Sequence, residues 1–556
     1  MQATQEAPTL YPTTEQFANP IQYLNSAEVV QLGAYYGIVK VKPPTGWQPP
    51  LSIDPSSFKF HTRLQNLSEL NLTNRSRRFW LSGFNNYLRT KGKKPIKSGY
   101  IDLNNNERIH LYDVFTVKNF QQGFKDRFKD KDVFRQLCRY SKYLTRQIAA
   151  EHENAGTGSG SGKEKSPITE ALDSFRQHRS GESLFGISHG TQCEVCGGKD
   201  DPTKMLICDD CECTYHMRCL TPQLTKVPKG DWFCDECLIG SNGDYGFEED
   251  FESIFTVEQF QKFCEHFKNE YCDKRFQGNH KPTVAMLEKD FWNLVEVEKE
   301  NDFEVRYGAD VHNEKPDEIS GFPTKDNPLI DQTKYKEYVE HPFNLCNLPF
   351  APGSLLNYFR TESRDQISGM TVPWIYVGSM FSTFCWHKED HYTMSANYCH
   401  VGSVKKWYSI PANECDLFES IFHECAPDYF QKQPDLLHQL VSLLSPNKLV
   451  EMARSKKGKT LHIYHVDQGP NEFVITFPKV YHAGFNCGFN INEAVNFTMP
   501  FWLHYGQDAL NEYKLVKKEA VFNYYKLLRN IMDDILVNNE HHSFSRDTIR
   551  EMIRIS

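Results

Sequence analysis

The spacing of apolar residues separates helical stretches of the chain from strand-like ones. Apolar residues recur every three or four positions in RRFWLSGFNNYL (77–88) and DVFRQLCRYSKYL (132–144), which predicts helices. The same spacing in the tail from Asn511 to Leu536 predicts one amphipathic helix packed on the rest of the protein. Its apolar positions are Val521, Tyr524, Leu528, Ile531 and Ile535. Residues 255–502 instead hold most of the aromatics and several strand-like runs, so we expect a multidomain α+β protein.

Length and composition indicate a protein with several folded units. The 556 residues exceed what one hydrophobic core usually holds, at roughly 100–200 residues per domain. The 39% hydrophobic and 24% charged residues are typical of globular proteins. No apolar run reaches the length of about 18 residues that a membrane helix needs, and MQATQEAPTLYP lacks the features of a secretory signal. We therefore expect an intracellular protein with no membrane partner.

The net charge of −9 conceals a basic segment. Residues 56–150 contain 20 Lys+Arg against 7 Asp+Glu. Such a block can bind nucleic acid, although a solvated helical surface is the alternative interpretation. The segment is followed by AGTGSGSGKEKSP (155–167), whose composition predicts a flexible linker. The sequence leaves open whether this linker is natural or engineered.

Eight of the 17 cysteines lie between Cys193 and Cys237, and all but Cys213 fall in Cys–Cys or His–Cys pairs with metal-ligand spacing. The candidate ligands are Cys193, Cys196, Cys208, Cys211, His216, Cys219, Cys234 and Cys237. Eight ligands make two closed tetrahedral sites, which predicts two structural zinc ions without a catalytic position. A segment of this length could hardly fold without them.

A candidate metal centre with open coordination positions lies in the stretch 375–411. His387 and Glu389 are separated by one residue, so in a strand both side chains point to one face and can bind one ion. His482, at the end of the strand-like run in FVITFPKVYHAGFN, could complete a triad of two histidines and one carboxylate. This set suits non-haem iron, which keeps positions for a cosubstrate and oxygen. A lone histidine is more often structural, so further features are needed.

Those features follow in the next strand-like segments. Ser395 and Asn397 share one face, and Lys405 lies where a cation could pair with a dicarboxylate. Together with FCWHKEDH and the sequence WYSIP, these motifs make the stretch from about His341 to Gly506 resemble the JmjC domain of histone lysine demethylases. The resemblance implies a double-stranded β-helix of the jelly-roll, cupin-like class.

The resemblance also implies a role for each matching residue. It gives iron(II) to His387, Glu389 and His482, and the distal carboxylate of 2-oxoglutarate to Lys405. The residues implied to surround 2-oxoglutarate are Tyr307, Phe384, Ser395, Asn397, Lys405 and Asn496. Tyr376 is implied to line the substrate pocket, and we expect the neighbouring His391 and His400 to be structural. The implied reaction removes N-methyl groups oxidatively, with formaldehyde and succinate as products.

The cysteine-rich island resembles a PHD finger, in which ligands pair in a cross-braced order. That pattern implies one zinc at Cys193, Cys196, His216 and Cys219, and another at Cys208, Cys211, Cys234 and Cys237. Fingers that read trimethyl-lysine usually place Trp before the Tyr-His pair, whereas here Thr214 precedes Tyr215. Since Asp209 and Asp210 could bind an ammonium, we favour an unmethylated histone H3 tail as ligand. The alternative is a finger that only braces its neighbours.

The N-terminal stretch resembles a JmjN domain, and a PHD finger between JmjN and JmjC is the order of the histone H3 lysine-4 demethylases. The implied segments are JmjN (9–50), a basic helical, degenerate ARID-like segment that could bind DNA (56–150), a linker (151–188), the PHD finger (189–240), a JmjC-flanking region (255–340), JmjC (341–506) and C-terminal helices (507–556). We therefore expect a nuclear enzyme acting on the H3 tail of the nucleosome. The second hypothesis is a catalytically inactive chromatin reader. The preferred methylation state and the oligomeric state stay open.

Overall fold

A computed structural model gives the structure of the chain. It describes residues 4–96, 98–155, 192–207, 213–220, 247–296, 303–312, 320–325, 327, 331, 333–359, 367–432, 435–516, 518–538, 550 and 552–554. The chain divides into two compact units. Unit 1 comprises residues 1–72, 245–425 and 433–556, and unit 2 comprises residues 73–244 and 426–432. Among the described residues, no helix combines the length and the apolar character needed to cross a membrane.

Unit 1 begins with short strands and helices that border the main sheets. They are β1 (Gln5–Glu6), β2 (Thr9–Leu10), α1 (Thr14–Phe17), α2 (Pro20–Leu24), α3 (Ala27–Tyr36), β3 (Ile38–Val41) and β4 (Lys59–Asn66). A capping box between Thr13 and Gln16 starts α1, because each side chain accepts the other's backbone N–H. In α3, Gly33 allows the helix to approach Phe477 so closely that a Cβ would lie 2.1 Å from the ring.

Unit 2 is mainly helical and contains both segments for which the apolar spacing predicts helices. Its elements are α4 (Leu72–Thr90), β5 (Tyr100–Asp102), β6 (Arg108–His110), α5 (Leu111–Phe115), α6 (Phe120–Gly123) and α7 (Lys131–Ala155). Its core is aromatic: Trp80 and Phe84 of α4 pack with Tyr140 of α7 at ring-centroid distances of 6.0 and 5.1 Å. The cysteine-rich island adds a hairpin of β7 (Met205–Ile207) and β8 (Thr214–His216).

The chain returns to unit 1 through a strand and two long helices. These elements are β9 (Phe247–Thr256), α8 (Val257–Phe276), α9 (Val284–Glu296), β10 (Glu304–Val311) and α10 (Lys336–Val339). Strand β9 pairs antiparallel with β4, and β4 pairs antiparallel with β10. Strands β4 and β9 therefore extend the sheet that contains β10, the strand on which Tyr307 lies.

Eight strands form the jelly roll that the sequence predicts. They are β11 (Trp374–Gly378), β12 (Thr383–His387), β13 (Met394–Gly402), β14 (Lys405–Ile410), β15 (Tyr464–Gln468), β16 (Phe473–Thr476), β17 (Tyr481–Asn486) and β18 (Asn490–Phe497). Helices α11 (Cys415–Cys425), α12 (Pro427–Lys432) and α13 (Pro446–Lys457) lie between β14 and β15 in sequence. Almost every residue of β13, β14 and β17 is buried, so these strands are core on both faces.

The jelly-roll strands divide between two sheets. One has the order β1-β15-β14-β17-β12, and the other has the order β2-β3-β16-β13-β18-β11-β10-β4-β9. The N-terminal strands therefore complete both sheets, with β1 beside β15 and β3 beside β16. The N-terminal segment is therefore hydrogen-bonded to both sheets of the jelly roll.

The C-terminal prediction of one helix is wrong. The tail forms two helices, α14 (Leu503–Val516) and α15 (Tyr524–Asn538). Val521 is exposed in the turn between them, whereas Tyr524, Leu528, Ile531 and Ile535 are buried as expected. The turn is held because the backbone N–H groups of Val521 and Phe522 donate to His391 Nε2 at 3.1 and 3.3 Å.

Candidate functional site

The two histidines of the triad are cross-strand neighbours. His387 ends β12 and stands opposite His482 of β17 in the antiparallel register, with ring centroids 4.1 Å apart. Glu389 follows two residues after His387, and its Oε1 lies 3.2 Å from His482 Nε2. The ligand atoms of all three side chains lie within 4.8 Å of one another. The strands thus bring two imidazoles and one carboxylate to a single point.

Backbone carbonyls orient both imidazoles. Nδ1 of His387 lies 2.7 Å from the Cys385 carbonyl, and Nδ1 of His482 lies 3.1 Å from the Val480 carbonyl. Each Nδ1–H therefore donates to the backbone, which leaves Nε2 as the nitrogen that can bind a metal ion. Such outer hydrogen bonds are usual for metal-binding histidines because they fix the tautomer and ring orientation.

The carboxylate of the triad is held as an anion. Burial raises the pKa of Glu389, but the hydrogen bond and charge of His482 outweigh burial and bring this pKa down to about 2. Burial lowers the pKa of His387 to about 4, and the charge of His482 adds to the effect. The site therefore offers a negative oxygen and a neutral imidazole, the forms that bind a divalent cation.

Asn496 orients the carboxylate of Glu389. Its Nδ2 donates to Glu389 Oε2 at 2.9 Å and to Thr393 Oγ1 at 3.0 Å. Glu389 Oε1 meanwhile faces His482. The two carboxylate oxygens thus have different partners, which fixes the plane of the group.

Lys405 lies in a box of aromatic rings beside the triad. It is 3% exposed, and its Nζ donates to the Tyr307 hydroxyl at 3.1 Å. The ring centroids nearest to Nζ are those of Phe384 at 4.6 Å, Tyr376 at 5.4 Å, Trp407 at 5.5 Å and Tyr307 at 5.6 Å. Burial lowers the pKa of Lys405 to about 7. No carboxylate of the described residues forms an ion pair with this ammonium, so its charge is available to an external anion.

A tyrosine–aspartate pair closes the outer side of this box. Tyr376 and Tyr307 have ring centroids 6.3 Å apart. Asp310 hydrogen-bonds Tyr376 and forms an ion pair with Arg63 at 2.5 Å. Burial, followed by the charge of Asp310, raises the pKa of Tyr376 well above its ordinary value. Tyr376 is therefore a neutral hydrogen-bonding group that borders the lysine box.

Ser395 and Asn397 lie on β13, and both are buried. Ser395 Oγ is 2.6 Å from Thr476 Oγ1 of the neighbouring strand β16. Asn397 Oδ1 is buried without a hydrogen-bond partner among the described residues.

The two neighbouring histidines have structural contacts. His391 is fully buried, stacks on Phe522 with ring centroids 3.8 Å apart and anchors the turn before α15. His400 Nε2 lies 2.8 Å from Glu493 Oε2, and the same carboxylate accepts the Ser320 hydroxyl and the Gly321 N–H. Neither histidine belongs to the triad.

The cysteine-rich island contains a second cluster of metal-ligand type. Cys193, Cys196, His216 and Cys219 have ligand atoms within 4.8 Å of one another. Nε2 of His216 donates a hydrogen bond to the Asp200 carbonyl, and its Nδ1 lies 3.3 Å from Cys196 Sγ. This is a Cys/His cluster of the kind that holds zinc. The other expected set, Cys208, Cys211, Cys234 and Cys237, lies outside the described residues, as do Asp209 and Asp210.

Sequence reasoning did not assign three residues of the catalytic site. Trp407 lies on the same face of β14 as Lys405, and its ring is nearly parallel to that of His482 at 6.1 Å. Strand alternation could have found it. Asp310 and Thr476 gave no signal, because their roles depend on Tyr376 and on the register of β13 with β16.

The residues fit the groups that the resemblance implies. Two imidazole nitrogens and one carboxylate suit iron(II), and the buried ammonium of Lys405 suits a carboxylate of 2-oxoglutarate. Three nitrogen and oxygen ligands also leave coordination positions for the cosubstrate, unlike the four-ligand cysteine cluster.

Comparison with known families finds three domains in this chain. Profiles match the jmjN domain at residues 8–43, the PHD finger at residues 193–237 and the "JmjC domain, hydroxylase" at residues 374–497. The JmjC match runs from β11 through β18 and contains the triad. The jmjN match contains β3, which pairs with β16 of the jelly roll.

Several curated proteins are similar to almost the whole chain. Lysine-specific demethylase 5B of Gallus gallus is 30% identical over 94% of this chain and 39% of its own length. Lysine-specific demethylase 5D of Homo sapiens is 27% identical over 94% of the chain and 41% of its own length, and rbr-2 of Caenorhabditis briggsae is 29% identical over 95% and 40%. The chain thus spans about two fifths of the length of these relatives. The chain therefore contains jmjN, PHD-finger and JmjC domains in this order and is similar along nearly its whole length to lysine-specific demethylases.

Proposed function

We propose that the protein is an iron(II)- and 2-oxoglutarate-dependent demethylase of trimethylated and dimethylated lysine 4 of histone H3. The observation that carries the proposal is the convergence of His387, Glu389 and His482 beside a buried lysine that has no carboxylate partner among the residues that the structure describes. The domain order and the names of the relatives support a lysine demethylase. The assignment to lysine 4 rests on the family.

Each part of the site has a defined task in this proposal. The triad would hold iron(II), and Lys405 would bind the distal carboxylate of 2-oxoglutarate with Tyr307. When bound, iron and 2-oxoglutarate supply the oxidising chemistry by which an N-methyl group is hydroxylated and lost as formaldehyde, while the cosubstrate becomes succinate. Asn496 keeps the Glu389 carboxylate in a single orientation.

The aromatic lining serves the reaction by excluding water. Phe384 and Trp407 cover Lys405 and flank His482, which raises the strength of the lysine–carboxylate interaction in a site of low dielectric constant. Tyr376 would contact the methylated side chain through its neutral hydroxyl, at the border of the same box. A demethylation of this type needs no lone pair on nitrogen, so trimethyl-lysine is an admissible substrate.

Mass spectrometry of an H3 tail peptide trimethylated at lysine 4 tests the proposal. With iron(II), 2-oxoglutarate and oxygen, we expect successive losses of 14 daltons that are absent in a His387→Ala variant. A peptide trimethylated at lysine 9 or 36 is the matched specificity control. No mass loss with iron-loaded protein supports the alternative of an inactive reader, and a gain of 16 daltons supports a hydroxylase.

We infer that the finger holds zinc and binds the unmethylated H3 tail. Cys193, Cys196, His216 and Cys219 would bind one ion, and Cys208, Cys211, Cys234 and Cys237 the other. Tyr215 is buried and preceded by the buried Thr214, so neither offers an exposed wall of an aromatic cage. Titration with unmodified and trimethylated peptides, in a His387→Ala background, tests this preference. Tighter binding of the trimethylated peptide would contradict it.

We also propose a chromatin location and contact with DNA. The basic segment 56–150 would bind phosphate groups without reading sequence, and a protein that acts on nucleosomes is expected in the nucleus. DNA affinity should then fall steeply with salt and depend little on sequence. Fluorescence anisotropy with two unrelated duplexes checks both statements.

A further inference from the structure

Side chains of β12 and β17 that point away from the triad pack on one helix, α11. Trp386 precedes His387, and Tyr481 precedes His482, so strand alternation directs both aromatic side chains away from the triad. Both rings pack on Phe418, with centroid distances of 5.4 Å for Trp386 and 4.3 Å for Tyr481. Phe418 is fully buried. One side chain of α11 therefore supports both strands from behind.

The next residue of α11 joins the same two strands by hydrogen bonds. Glu419 Oε1 accepts from Lys388 Nζ at 2.9 Å and from the Tyr481 hydroxyl at 2.9 Å. Lys388 lies between the ligands His387 and Glu389 in sequence. A single carboxylate oxygen thus connects the residue after one histidine ligand with the residue before the other.

This connection lies where the backbone ladder is irregular. Strands β12 and β17 pair regularly at Thr383 and Phe384, but the register shifts before His387 reaches His482. A bulge interrupts ladder hydrogen bonds and increases local twist. The backbone alone therefore gives a weak constraint on the separation of the two imidazoles, and the Glu419 contact supplies a second one.

A second carboxylate, that of Glu512, also forms an ion pair with Lys388 but does not connect β12 with β17. The Lys388 side chain is 4% exposed, and Glu512 of α14 pairs with it at 2.9 Å. Glu512 also lies 2.9 Å from His438 Nε2. Within the described residues Glu512 forms no hydrogen bond with Tyr481, so it offers a matched comparison for Glu419.

We propose that Glu419 is a positioning residue of the iron site, whose single oxygen fixes the distance between the two ligand strands. This inference rests on the proposed function, because it takes the triad to bind iron(II). The interaction acts through Lys388 and Tyr481, neither of which contacts the metal. Residues behind the ligands are commonly worth about 10- to 100-fold in metal affinity.

Binding of manganese(II) to the full chain with 2-oxoglutarate, followed by electron paramagnetic resonance, tests the proposal. Manganese prefers nitrogen and oxygen ligands, so the cysteine cluster does not compete. Glu419→Ala should raise the Kd for manganese by about 10-fold or more. Glu512→Ala, which also removes a carboxylate partner of Lys388, should raise it by less than about fivefold. Equal effects of the two variants would overturn the proposal, since they would assign the effect to the charge of Lys388.

Tyr481→Phe provides a test that keeps the packing on Phe418. Removing the hydroxyl should raise the Kd severalfold, and adding Glu419→Ala should raise it less than the two single effects combined, since one interaction is removed twice. An unchanged Kd for Tyr481→Phe would refute the role of Glu419 even where Glu419→Ala fails to fold. Wild-type protein that binds no manganese overturns the proposed function together with this inference. Normal wild-type binding with unaffected variants overturns the inference alone.

Discussion

Two consecutive lysines of β14 have opposite environments, since strand alternation places them on opposite faces. Lys405 and Lys406 are both buried. Lys406 pairs with Asp467 at 2.9 Å and with Glu288 at 3.6 Å, as buried charges ordinarily require. Among the described residues, Lys405 donates to a tyrosine hydroxyl and lies among aromatic rings, without a carboxylate at ion-pair distance. This difference supports Lys405, rather than Lys406, as the proposed binding residue for an external anion.

Lys405→Met should therefore abolish cosubstrate binding with little loss of stability. Removing one partner of a buried charge pair costs about 2–5 kcal/mol, which corresponds to an increase of more than about 30-fold in KM for 2-oxoglutarate. Steady-state kinetics with varied 2-oxoglutarate measures this increase. Lys406→Met is the control: it should lower the free energy of unfolding by about 1–3 kcal/mol and leave KM nearly unchanged. Equal effects on KM would refute the assignment.

The residues found from sequence are those whose role follows from local spacing. His387 ends β12, Glu389 follows two residues later, and Lys405 begins β14. The contacts of Asn496 with Glu389 and of Glu419 with Tyr481 join positions far apart in sequence. Their pairing depends on sheet register and helix placement, which single-sequence patterns do not specify.

At the scale of elements, apolar periodicity predicts which face of a helix is buried better than it predicts where the helix is interrupted. Tyr524, Leu528 and Ile531 are buried as the spacing requires, although the predicted helix is two helices. The apolar repeat continues across the turn, while the reason for the turn lies elsewhere. His391 accepts the backbone N–H groups that follow Ala520, and these bonds end the helical path.

The helix start at α5 gives a pH prediction for unit 2. His110 is 1% exposed and caps α5, because its Nδ1 accepts the Tyr112 N–H at 3.1 Å. Burial, with repulsion from Arg77, lowers the pKa of His110 to about 4. An unfolded histidine has a pKa of about 6.5, so the stabilisation is complete above pH 6.5 and is lost as pH falls toward 4. The loss is at most roughly 3 kcal/mol.

Hydrogen exchange of peptides covering α5, measured between pH 7 and 4.5, checks this prediction. Protection corrected for intrinsic exchange should fall in the wild type and fall much less in His110→Asn, whose amide can cap the helix but cannot take a proton. His61→Asn, which replaces an exposed histidine of β4, is the control and should retain the wild-type slope. A slope that is the same in all three proteins would contradict the argument.

The contact of α3 with the jelly roll gives a prediction for the N-terminal segment. Gly33→Ala gains about 1 kcal/mol of helix propensity. The added Cβ would lie 2.1 Å from the Phe477 ring, so the helix must shift, and overpacking of this kind costs about 1–3 kcal/mol or more. We expect a net fall in the free energy of unfolding, measured by thermal or denaturant unfolding.

Two further variants separate overpacking from a general effect of alanine. Gly123→Ala, where a Cβ meets open space, should leave stability unchanged or slightly raised. Combining Gly33→Ala with Phe477→Leu should recover part of the loss, because the smaller side chain leaves room for the methyl group. If the double variant is as unstable as the sum of the single variants, the ring contact is not the cause.

At the scale of the whole molecule, unit 1 is discontinuous in sequence. The insertion that forms unit 2 leaves after β4 and returns at β9, and these two strands pair antiparallel from Lys59 with Thr256 to Gln65 with Phe247. Pairing of the flanking strands brings the two ends of the insertion close together. Composition and motifs distinguish the inserted segments in the sequence. The pairing of β4 with β9 shows, in addition, that the sheet of unit 1 continues on both sides of the insertion.

Unit 1 should therefore fold and act on peptides without the insertion. Leu72 is six residues beyond Asn66, within roughly 20 Å, and a Gly/Ser linker of about 12 residues can span roughly 40 Å between Leu72 and Tyr245. Lengthening such a connection costs little, about 0.6 kcal/mol per doubling. Changing Tyr429 to Ser avoids exposing an apolar ring that packs on Phe79 within unit 2.

We expect the shortened chain to retain kcat on a trimethylated H3 peptide within about threefold, because the triad and the lysine box lie entirely in unit 1. Its affinity for duplex DNA should fall to background, because the basic segment is lost. Demethylation kinetics and anisotropy measure the two effects on one preparation, with His387→Ala in the shortened chain as the inactive control. A folded chain that binds manganese but has lost its activity on the peptide would show that unit 2 contributes to catalysis itself.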